Sequence, residues 1–135
     1  MKQKSYIYLA SPYTHTSELV RQERFNTINK VLAALVHNGY IVFGPITQSH
    51  IIAKYLDLEQ TSWEYWKDND TVFLTQAESL MICTMPGWKE SVGVTAEIQI
   101  AKKLKKPISY ICPKTLCITE EPTETPLNIG DTNYV

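Results

Sequence analysis

The chain has 135 residues, 44% of them hydrophobic, which suits one domain around a single core and is too short for two. Thirteen basic against fourteen acidic residues leave a net charge of −1, with no Lys/Arg block long enough to track a polyanion, so nucleic-acid polymers are excluded as expected partners. No apolar run approaches a membrane span, and the three cysteines (Cys83, Cys112, Cys117) and three histidines lack metal-ligand spacing.

The opening residues run straight into a strand without a signal-peptide core, so the reading is a cytoplasmic, reduced protein with no membrane segment, no metal and no cofactor. Tyr6-Ile7-Tyr8-Leu9-Ala10 is rich in strand formers and stops at Ser11-Pro12-Tyr13, where the proline disfavours continuation. Residues 17–38 carry Leu19, Phe25, Ile28, Val31, Leu32 and Leu35 at helical spacing, ended by Asn38-Gly39. Tyr40-Ile41-Val42-Phe43 is a second strand closed by Gly44-Pro45, making a β-α-β unit and implying a parallel sheet. The segment from Gly44 to His50 reads as a loop leaving the same sheet edge. Short helices are predicted over 48–56 and 62–76, the latter with Trp63 and Trp66 as core or interface residues.

A strand over 80–85, a helix over 92–105 and a strand over 107–111 complete the alternation. The predicted fold is α/β, a flavodoxin-like or Rossmann-like three-layer sandwich with a four- to five-stranded parallel sheet. The domain is expected to span residues 1–112. From Pro113 the chain turns to Thr, Glu and Pro without periodicity, so residues 113–135 read as a tail that packs on the domain, meets a partner subunit or is disordered.

The chemistry concentrates at Pro86-Gly87-Trp88-Lys89-Glu90-Ser91-Val92-Gly93-Val94-Thr95-Ala96-Glu97-Ile98, a strand-to-helix turn. Glu97 falls on the apolar stripe Val94, Ala101, Leu104, where a core residue belongs. Helical side chains lean toward the helix N-terminus, so Glu97 projects back over Gly93, which has no side chain to block it. The same helix start offers free N–H groups and a partial positive charge, with Ser91 as N-cap or phosphate ligand. In doubly wound sheets ligands bind beyond the carboxyl ends of the strands, where strand order reverses. With the first strand central, the Ser11-Pro12-Tyr13 loop and the Pro86–Val92 turn become neighbours. Asp70 is the candidate second acid, and Tyr13 could stack on a base or donate its hydroxyl. His50 is a candidate contact to a phosphate or a leaving base.

Tyr8-Leu9-Ala10-Ser11-Pro12-Tyr13, Gly44-Pro45 with Ser49-His50, Trp66 followed by Asp70, and the 87–98 turn together resemble a family within the nucleoside 2-deoxyribosyltransferase-like superfamily, over roughly residues 5 to 111. The most specific part, Ser91-x-Gly93-x-x-x-Glu97, is similar to the turn that carries the nucleophilic glutamate in deoxyribosyltransferases and in nucleoside 5′-monophosphate N-glycosidases. The resemblance implies Glu97 as nucleophile at C1′ of the sugar, Asp70 as the acid that helps the base depart, and Tyr13 as a positioning group. It implies Ser91 as ligand of a 5′-phosphate, within a substrate site that also takes in Ser11, Pro12, Gly44, Pro45, His50, Gly87, Trp88 and Gly93. It further implies a homodimer or higher homo-oligomer acting on a small nucleoside or nucleotide. Deoxyribosyltransferases usually lead into this turn with an acid and a glycine, whereas here the approach is Pro86-Gly87-Trp88-Lys89-Glu90. Nucleotide N-glycoside hydrolysis is the expectation, with base exchange and a non-catalytic nucleotide-binding module as alternatives.

Overall fold

The computed structural model describes residues 4–56 and 61–122. Its elements in chain order are β1 (Ile7–Ala10), α1 (Glu18–His37), β2 (Val42–Phe43), α2 (Pro45–Ala53), α3 (Trp63–Gln76), β3 (Ser79–Cys83), α4 (Val92–Lys103), β4 (Ile108–Ile111) and β5 (Ile118–Thr119). One sheet holds all five strands in the order β2-β1-β3-β4-β5. The first four are mutually parallel, with Ile7 opposite both Val42 and Ser79, and Leu80 opposite Ile108.

Strand side chains alternate between faces, and here the alternation builds two cores. Tyr8, Ala10, Leu80 and Ile82 point to one face and pack with Leu74 of α3 and Val94 and Ala101 of α4. Leu9, Met81 and Cys83 point to the other and pack with Ile28, Val31 and Leu35 of α1. The result is a three-layer α/β sandwich, as predicted. β1 lies between β2 and β3, so the strand order reverses beside it and the loops after β1 and β3 converge.

Two expectations are corrected. The fifth strand is antiparallel: Leu116 N–H donates to Cys112 O (2.8 Å) with Leu116 at φ 61°, and this tight reversal lays β5 back along β4, Ile118 opposite Ile111. A hairpin connection permits only antiparallel pairing, and two residues carry no periodicity from which the strand could be read. The segment after Pro113 thus extends the sheet; residues 123–135 of the expected tail lie outside the described residues. The Gly44–His50 segment is not a loop, because α2 begins at Pro45. Proline sits at the first helical position, where a missing N–H costs nothing. No described helix is long and apolar enough to cross a membrane.

Candidate active site

A cleft of about 350 Å³ opens at the carboxyl ends of β1 and β3. Six of the residues expected at the site line it: Ser11, Tyr13, Asp70, Ser91, Gly93 and Glu97. Glu97 lies on the α4 stripe that faces the sheet and is only 4% exposed. The Tyr8 hydroxyl, fully buried on β1, donates a short hydrogen bond to Glu97 Oε2. A buried tyrosine hydroxyl needs a partner, and here that partner is the carboxylate. Asp70 is brought to the same cleft by α3, where Trp63, Trp66 and Asp70 at i, i+3 and i+7 form one stripe along its wall.

Electrostatics set the two carboxyls apart. Burial raises Glu97 to about 8, opposed by the Tyr8 hydrogen bond and reinforced by the Asp70 charge. Burial raises Asp70 to about 6, opposed by the Asn69 amide. Burial first, and the Glu97 charge second, push Tyr8 well above its ordinary value, so it stays a donor. The folded chain therefore holds these carboxyl protons more tightly than the unfolded chain. The stability this contributes is fully present below the ordinary values near 4 and is lost as pH rises through about 6 and then about 8. Glu97→Gln keeps an acceptor for Tyr8 and cannot ionise. Relative to wild type, its melting temperature is expected to stay level below pH about 4, to climb between about 4 and about 8 and to remain higher above that; a constant difference across that range would show that Glu97 does not titrate this way.

Ser91 is the N-cap of α4, its Oγ accepting from Val94 N–H (3.1 Å). A hydroxyl that accepts one bond still has its O–H to donate, so capping and anion binding are compatible. The N–H groups of Val92 and Gly93 have no backbone partner among the described residues and complete a small donor set at the helix start. Ser11 Oγ, in a residue 5% exposed, has no hydrogen-bond partner among the described residues and faces the cleft.

The other six expected residues stand outside the cleft lining. Pro12 is fully buried behind it. Gly44 is half-buried at the α2 N-cap against α1, where an added Cβ would lie 2.7 Å from Leu32 Cδ1. Pro45 and His50 are buried in α2. His50 stacks on Phe25 (centroids 3.8 Å apart), and its Nδ1 meets the Tyr13 hydroxyl at 2.5 Å, so it positions Tyr13 and does not itself line the cleft. Gly87 and Trp88 line a second cavity of about 930 Å³ on the other side of the turn, with the Trp88 ring tilted against Tyr110. Ser49, Trp63 and Trp66 line the cleft and Tyr8 reaches it through Glu97, although none of the four was among the expected site residues. The α3 stripe is a signal that could have found the tryptophans, since a helix presenting Asp70 to a pocket presents its i−4 and i−7 neighbours there too.

Residues 5–112 match a family described as a domain of unknown function, DUF1937. Among solved structures, the chain is similar to a 2-deoxyribosyltransferase from the psychrotolerant bacterium Bacillus psychrosaccharolyticus. Identity is 21%, the match covers 97% of this chain and 82% of that one, and the TM-score is 0.59. No curated protein matches the sequence. The chain belongs to the DUF1937 family and has a nucleoside deoxyribosyltransferase-like fold.

Proposed function

We propose that the chain cleaves the N-glycosidic bond of a nucleoside or nucleoside 5′-monophosphate, with Glu97 as nucleophile. The observation that carries this reading is a buried carboxylate, held by the Tyr8 hydroxyl, in the same cleft as a second, raised carboxyl on Asp70. Glu97 attacks C1′, and the C1′–N bond breaks with its electron pair passing to the base. Asp70 supplies the proton that makes the base a competent leaving group. Water then attacks C1′ of the glycosyl ester, giving its proton to Asp70 and freeing Glu97, as in retaining glycosidases. Tyr8 fixes the carboxylate and stays a hydrogen-bond donor, because its own ionisation is suppressed. Trp63 and Trp66 offer aromatic faces for the base, and the α4 start with Ser91 receives the 5′ group.

Base exchange is the second reading, supported by the fold likeness to a 2-deoxyribosyltransferase; it differs only in the acceptor, a second base in place of water. A homo-oligomer belongs to the same proposal, with Val92, 72% exposed on the cleft rim, as a contact. The test is a panel of ribo- and deoxyribonucleosides and their 5′-monophosphates assayed for free base, with and without an added second base. Release without an acceptor supports hydrolysis, release only with one supports exchange, and no release from any member overturns both.

Ser91→Ala is expected to destabilise the protein by about 1 kcal/mol through loss of the cap. It should also weaken monophosphates more than nucleosides; equal weakening of the two in binding titrations would remove Ser91 from the 5′ site.

A further inference from the structure

The second cavity has the opposite electrostatic character to the catalytic cleft. The described lining of the cleft carries Glu64, Asp70, Glu90 and Glu97 and no basic side chain. The second cavity is lined by Arg24, Lys30, Lys89 and Lys114 against Glu23 and Glu90. Glu90 lines both, so the two spaces share a wall.

Arg24 is the built part of this cavity. It projects from α1, and its Nη1 donates to Thr14 O (3.1 Å) on the β1–α1 loop. Its Nη2 covers Gly87, where a Cβ would sit 2.4 Å away. Gly87 stands at φ 96°, a backbone state suited to glycine, so the turn both adopts its path and leaves room for the guanidinium. The group is half-buried, and no carboxylate pairs with it within salt-bridge distance among the described residues. A guanidinium presents five donors in a fixed fork matched to phosphate oxygens, and one is spent on Thr14. Glu90 acts on the guanidinium through its charge at longer range than an ion pair, and a half-buried, oriented guanidinium that no described carboxylate holds in a salt bridge, in a cavity with a basic surplus, fits an anion with several oxygens.

We infer that the second cavity is a binding site for a phosphate-bearing ligand, anchored by Arg24 and completed by Lys89 and Lys114. The phosphate comes either from a substrate nucleotide reaching across the Glu90 wall or from a separate phosphorylated ligand.

The test is calorimetric titration of inorganic phosphate into the intact protein at low ionic strength. Saturable binding is expected, weakened about tenfold or more in Arg24→Gln with an unchanged circular dichroism spectrum. Absence of saturable binding overturns the proposal, as does equal binding in wild type and Arg24→Gln, which would put the phosphate elsewhere, for example at the Ser91 helix start. Should Arg24→Gln fail to fold, the double variant Lys89→Gln/Lys114→Gln decides, because both side chains are exposed. Weaker binding there supports the site, and unchanged affinity overturns it. Competition separates the two sources. Displacement of phosphate by a nucleoside monophosphate but not by the nucleoside identifies the substrate's own phosphate, and independent binding identifies a separate ligand. The first titration involves no turnover, so its outcome stands apart from the role of Glu97.

Discussion

Glu97→Gln is expected to reduce base release by about a thousandfold or more while nucleoside affinity changes little. The amide has nearly the shape of the carboxyl and still accepts from Tyr8, so the cleft keeps its form. What it loses is the oxygen that bonds to C1′. A variant that lost binding and turnover together would indicate a packing role, and the buried position of Glu97 on α4 makes that contrast informative. Chromatographic quantitation of free base, alongside ligand titration of the same preparation, separates the two effects. Undiminished base release in Glu97→Gln would remove the nucleophile assignment.

The second large effect is expected at Asp70, and it is one of shape as well as size. With the pair titrating near 6 and near 8, one proton is shared between the two carboxyls in that window; Glu97 holds it more tightly, so the reactive form, with that proton on Asp70 and Glu97 ionised, is the minor of the two arrangements. The profile of kcat/KM against pH should therefore be a bell, falling below about 6 as both become protonated and above about 8 as both ionise. Asp70→Asn leaves a single titrating carboxyl and removes a charge that raises Glu97. The profile should become a rise to a plateau, with its midpoint below that of the wild-type Glu97. The rate should be lower by about a hundredfold on bases that leave poorly. A bell that survives in Asp70→Asn would assign the second limb to another group.

The elements that position the site were legible because they rest on periodicity. The α4 stripe marked Glu97 as buried, and the β-α-β pattern made β1 central, which brought the Ser11-Pro12-Tyr13 loop and the Pro86–Val92 turn to one edge. Periodicity identifies which face is covered and not what covers it. Trp63 and Trp66 were therefore read as core or interface, although their stripe continues to Asp70 and forms a cleft wall. Tyr8 was read as a strand former, because its hydroxyl partner lies 89 residues away and only the parallel β1–β3 pairing with α4 across that face brings the two together. His50 lies outside the cleft lining because Gly44-Pro45, read as a strand-ending loop, opens a helix that turns the imidazole inward onto Phe25. β5 depends on a reversal at Leu116, and its two residues are held by the edge of β4 more than by their own propensity.

A covalent bond between the sugar and Glu97 is the central step of the proposed mechanism. Intact-protein mass spectrometry after rapid acid quench, using a 2′-fluoro-2′-deoxynucleoside whose fluorine slows breakdown of the ester, reads that bond directly. The expected result is a mass increase equal to one glycosyl residue, mapped by proteolysis to the peptide containing Glu97 and absent in Glu97→Gln. Base release without any adduct on the protein, or an adduct on another residue that persists in Glu97→Gln, would contradict it.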